Sequence, residues 1–172
     1  MDERTSAPVV MMRIATGGMA VSILVLVGLG EYLLRSGRLA GGVAEALEGS
    51  QIETMRAVFL TLAVLFVLAA LALKHAVIKR APAWLLSAAK GLIRNAYRRP
   101  GGNGYAIMII PPALAEAVAV LGMVLFVLTS GNRAQAYPFF LLGLLCLLAV
   151  LPSSEYEQRL IELDAEVRET MR

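Results

Sequence analysis

Residues 105–128 read YAIMIIPPALAEAVAVLGMVLFVL. Glu116 is the only acidic or basic residue in this stretch. A helix rises about 1.5 Å per residue, so the stretch is long enough to cross the roughly 30 Å hydrocarbon core of a bilayer. The apolar residues run on without alternating, which excludes a membrane β-strand. The stretch therefore predicts a transmembrane helix with a carboxyl near its middle.

Three further apolar runs flank it. Val9 to Leu34 is broken only by Arg13 and Glu31, while Ala57 to Leu73 and Ala136 to Leu151 contain no charge. The chain of 172 residues is 58% hydrophobic and 17% charged, with a mean hydropathy of +0.71. A soluble domain of this size needs more polar surface. The expected fold is all-α: a polytopic membrane protein whose four transmembrane helices form two hairpins. A cytoplasmic interfacial helix and a C-terminal amphipathic helix complete it. The spans are placed at about 9–34, 57–78, 105–129 and 135–151. They make up a transmembrane domain of residues 1–152, followed by an amphipathic helix over 153–172. The first run is too long for a signal peptide, and Ala44-Glu45-Ala46 lies too far beyond it for cleavage, so it reads as a retained anchor.

Lys and Arg are unevenly distributed among the loops. With four crossings, the N-terminus, the second loop and the tail share 12 of them, against four on the other side. The positive-inside rule then places both termini in the cytoplasm of a bacterial inner membrane. The net charge of +3 reads as membrane orientation and not as nucleic-acid binding. The contacts expected outside the chain are membrane lipids and other membrane subunits or further copies of the chain.

Two segments outside the membrane have helical character. In Pro82 to Arg99, Lys90, Arg94 and Arg98 recur every four residues opposite an apolar face, a pattern suited to anionic lipid headgroups. In the tail, Ser154 and Glu157 have capping-box spacing after Pro152. Tyr156, Leu160, Leu163 and Val167 then follow the spacing of a coiled-coil seam. The segment is otherwise acidic, so the seam is expected to meet protein: another copy, the basic loop of the same chain, or a different subunit.

Within the third span, Ala113, Ala115, Ala117, Ala119 and Gly122 give small-residue faces that let another helix approach. Pro111 and Pro112 remove backbone donors one turn before Glu116 and predict a kink. A carboxyl at mid-bilayer costs about 2.5 to 3.5 kcal/mol on insertion scales, which points to a partner, a bound proton or a cation. Arg13, Glu31 and His75 lie near span ends and read as interfacial anchors, with Glu31 in reach of Arg35. Cys146 reads as a small buried hydrophobe. No nucleophile–base pair, phosphate loop or zinc spacing is present, so neither catalysis nor a cofactor or metal is expected.

The stretch Ala113 to Val124 resembles the ion-carrying helix of the rotor-ring subunit c of ATP synthases. That resemblance implies Glu116 as a proton or cation carrier and Gly122 as a packing position. The ALAEA-type helix, followed by a short Gly-Asn turn and another span, also resembles small uncharacterised bacterial four-helix inner-membrane proteins. That second resemblance implies no activity. Two functions are therefore expected: an accessory or scaffold subunit of a membrane complex, or an ion-translocating unit built on Glu116.

Overall fold

A computed structural model describes residues 3–39, 49–78, 87, 90, 91, 94, 106–151 and 153–170. Side chains are described for these residues except 3–12, 78, 106–108, 160, 163, 164, 167 and 168. Among the described residues the chain is all helical. The elements are α1 (Glu3–Arg35), α2 (Gly49–Ile78), α3 (Ala106–Leu128), α4 (Arg133–Ala149) and α5 (Ser154–Thr170). Three of them contain segments long and apolar enough to cross a membrane: Arg13–Arg35, Gly49–Val77 and Ile109–Leu128. The apolar α4 has 17 residues, at the lower limit for a span.

Helix α3 is the centre of the bundle. Ala115, Val118, Ala119 and Leu125 are fully buried, and Phe126 nearly so. By contrast, Val21, Leu24 and Val25 on α1 and Val64, Leu65 and Leu68 on α2 are exposed. An apolar surface of this extent is untenable in water and ordinary in lipid.

The order of packing follows from where side chains are small. Helices α3 and α4 form an antiparallel hairpin with close backbones. A Cβ at Gly143 would lie 2.9 Å from the Ala115 carbonyl oxygen and 3.2 Å from the Ala119 nitrogen. A Cβ at Gly122 would lie 2.7 Å from the Phe139 Cβ. Without a hydrophobic drive between helices in lipid, such close van der Waals packing holds the pair together. Helix α1 runs parallel to α3, with Gly30 against Phe126 and Met123. Helix α2 packs Ala63 into a cluster with Val118, Leu125 and Phe139. The first two helices therefore do not pair as a hairpin of their own. Each packs mainly on α3, because the small side chains of α3 admit neighbours on several sides.

The turn between α3 and α4 explains the hairpin's tightness. The Gly131 nitrogen donates to the Phe126 carbonyl at 2.8 Å and the Ser130 nitrogen to the Val127 carbonyl at 3.3 Å, the two bonds of a Schellman cap. Ser130 takes the left-handed position at φ 50. Gly131 takes φ 85, a left-handed backbone that side-chain-bearing residues rarely adopt, and Leu34 of α1 packs directly over it.

Gly143→Ala should lower the stability of the bundle in detergent by about 1 to 3 kcal/mol, the usual cost of overpacking. Gly28→Ala, where an added Cβ meets nothing within 4 Å, should leave the unfolding temperature unchanged or raise it. Thermal unfolding followed by circular dichroism distinguishes the two.

Candidate functional site

The central helix buries three sides and leaves one open. Ala115, Ala119 and Gly122 face α4, Val118 and Leu125 face α2, and Met123 and Phe126 face α1. The remaining direction carries Ile109, Val120 and Val124, each about 40% exposed, and the half-buried Ala113 and Ala117. At 100° per residue, Glu116 falls on the α1 edge of this face, near the middle of α3. Its side chain is half-buried, and no described residue forms a hydrogen bond or ion pair with it. The open face is therefore apolar and shallow-sided, with a single carboxyl at mid-depth.

Pro111 and Pro112 are both buried, and α3 continues through them. They are its sixth and seventh residues, so the carbonyls they leave unpaired belong to Ile107 and Met108. Those carbonyls lie two turns before Glu116, too far to accept its proton.

Charged residues instead clamp the helix ends. Glu31 does not pair with Arg35 along α1. It receives hydrogen bonds from Arg133 of α4 through Nε at 2.7 Å and Nη2 at 2.6 Å, and another from the Tyr137 hydroxyl. The two-pronged guanidinium–carboxylate geometry fixes orientation as well as distance. At the other end of the bundle, Arg13 of α1 meets Glu157 of α5 at 3.3 Å. Lys74 of α2 reaches across to the last turn of α4. Its Nζ donates to the carbonyls of Ala149 at 2.7 Å and Leu151 at 2.9 Å, capping the C-terminal end of α4, where the helix dipole favours a cation. Sequence spacing could not have revealed these pairs, because each joins residues at least 75 positions apart.

The tail differs from its sequence reading in two respects. The cap is Ser153 and not Ser154: its Oγ accepts from the Tyr156 nitrogen at 3.3 Å, and its carbonyl accepts from the Glu157 nitrogen at 3.0 Å. With the register shifted by one, Glu157 is free of the capping box and pairs with Arg13. Tyr156, expected on a seam toward a partner, is 2% exposed in the chain's own structure, where α5 packs on α2. Burial pushes its hydroxyl up to about 12. The side chains of Leu160, Leu163 and Val167 lie outside the described residues.

Of the three cations expected to face lipid headgroups, Lys90 pairs with Glu166 of α5 at 2.7 Å. Arg94 lines the same cleft with Glu169. Arg98 lies outside the described residues. His75 is exposed, Cys146 is buried, and among the described residues no group of His, Cys, Asp and Glu could hold a metal ion. No protein-family model, curated protein or solved structure matches the chain.

Two outcomes follow. Glu31→Gln and Arg133→Gln should each lower the unfolding temperature, and the double variant should lose little more than either single one, since both break the same pair. Simple additivity would show that the clamp is not formed. Separately, an un-ionised Tyr156 stabilises the docked tail at neutral pH. Its folded value lies above the usual 10 for tyrosine, so that stability is full below pH 10 and is lost as the pH rises toward 12. A fluorophore on α5 should report undocking over that window, and Tyr156→Phe should remove the alkaline transition.

Proposed function

We propose that the chain is a non-enzymatic subunit of a membrane protein complex, an accessory or scaffold component that docks another membrane subunit on the open face of α3. The observation that carries this reading is Glu116, a carboxyl at mid-span with no partner among the described residues. A polar group at that depth gains by hydrogen-bonding across a helix interface. The small Ala113 and Ala117 beside it allow close approach.

The proposal includes four crossings, with α4 as the short fourth span. The loop between α2 and α3 and both termini are in the cytoplasm, as the distribution of Lys and Arg favours. The inner-membrane location and the relationship to small bacterial four-helix proteins belong to the same reading. Lys74, Arg13 and Lys90 support it, because all three engage the α4 end or the tail on that side.

The same carboxyl supports a second reading, in which Glu116 carries a proton or cation as in the rotor-ring helix that α3 resembles. Among the described residues Glu116 is in no ion pair, so its carboxyl is not committed to a cation of the bundle. Proton flux in liposomes should then be lost in Glu116→Gln, and unchanged flux would eliminate the idea.

The docking reading predicts that the chain, extracted from its native membrane in mild detergent, elutes with a second membrane polypeptide. Glu116→Leu should weaken that association three- to thirtyfold, corresponding to about 0.6 to 2 kcal/mol for one intramembrane hydrogen bond. Elution as a monomer with no other chain would overturn it.

A further inference from the structure

A second surface, not lined by Glu116, is a groove between α1 and α4 with a volume of about 700 Å³. Its walls are Leu24 and Val27 from α1 and Phe140, Leu141 and Leu144 from α4. Arg133 and Tyr137 stand at one end. The volume lies within the range of about 300 to 1,000 Å³ typical of sites for small molecules. Leu24 and Leu141 are both exposed, so the groove opens toward the surroundings of the bundle.

Its length limits what can occupy it. From Arg133 to Leu144 the helix rises about 16 Å, which matches the roughly 15 Å of hydrocarbon in one leaflet. A transmembrane partner helix would need a groove running through both leaflets. A single acyl chain needs only one. The polar end supplies the remaining chemistry. Arg133 uses Nε and Nη2 on Glu31, and among the described residues no acceptor meets its Nη1. Arg35 is also near enough to act on the Glu31 charge. Among the described residues, two guanidinium groups act on this one carboxylate, an excess of positive charge at the level where a lipid phosphate would lie.

We propose that this groove is a phospholipid site. One acyl chain lies along Leu24, Val27, Leu141 and Leu144, and the lipid phosphate accepts hydrogen bonds from Arg133. The lipid belongs to the leaflet on the Gly131 side of the bundle. Its polar head reinforces the Glu31–Arg133 clamp, and its chain fills space that α1 and α4 leave between them.

Native mass spectrometry of the detergent-purified chain titrated with dipalmitoyl phosphatidylglycerol tests this. The protein should retain one such lipid, and should bind dipalmitoylglycerol, with the same chains and no phosphate, at least tenfold more weakly. Leu141→Trp and Leu24→Trp fill the groove and should each weaken phosphatidylglycerol binding tenfold or more. Leu65→Trp, the same change on the exposed face of α2, should not. Arg133→Gln should reduce phosphatidylglycerol binding toward the dipalmitoylglycerol level. Circular dichroism confirms folding, and either groove variant suffices if the other does not fold. Undiminished binding in a folded groove variant, an equal loss in Leu65→Trp, or equal affinity for the two lipids would overturn the proposal.

Discussion

Gly122 and Gly143 carry no side chain, and this lets the backbones of α3 and α4 touch. In lipid this constraint weighs more than in water, because helices gain little from hiding apolar surface and must gain from contact. The Gly143 position against the Ala115 carbonyl and the Gly122 position against Phe139 fix the register of the hairpin. That register in turn sets Arg133 opposite Glu31 and brings the end of α4 to Lys74. The other helices arrange themselves around this pair.

The polar residues then divide by depth. Near the span ends they are satisfied within the chain: Glu31 by Arg133 and Tyr137, Lys74 by the last carbonyls of α4, and Arg13 by Glu157. At mid-depth Glu116 has no such arrangement among the described residues. The bundle thus pairs its peripheral charges across long sequence separations, and its central carboxyl is the contrast on which the proposed docking rests. The tail does the reverse. Its aromatic anchor Tyr156 and its acid Glu166 are both engaged by the chain itself.

Much of this fold was legible in the sequence because hydrophobic run length is a direct consequence of bilayer thickness. The third helix was expected within a residue or so of Ala106–Leu128, and the small residues of α3 could be recognised before any contact was known. Other features could not be read. Helix α2 begins at Gly49, well before its apolar run, because a helix continues into polar sequence at no cost visible in hydropathy. The one-residue shift of the tail cap from Ser154 to Ser153 depends on turn geometry, and adjacent serines look alike in sequence. The pairing of α1 and α2 with α3, and not with each other, depends on which faces are small in three helices at once. The ion pairs were invisible for the same reason, and Gly143 was passed over because its partner residues lie on another helix.

The central claim is that α3 is enclosed on three sides and open along the face that carries Glu116. Single cysteines placed along α3 in a background with Cys146 replaced by alanine, spin-labelled and reconstituted in bilayers, test it through their collision rate with molecular oxygen. The account predicts high accessibility at Ile109, Ala113, Val120 and Val124 and low accessibility at Ala115, Val118, Ala119 and Gly122, with helical periodicity between them. Uniform accessibility around the helix, or a maximum on the Ala115–Ala119 side, would contradict it.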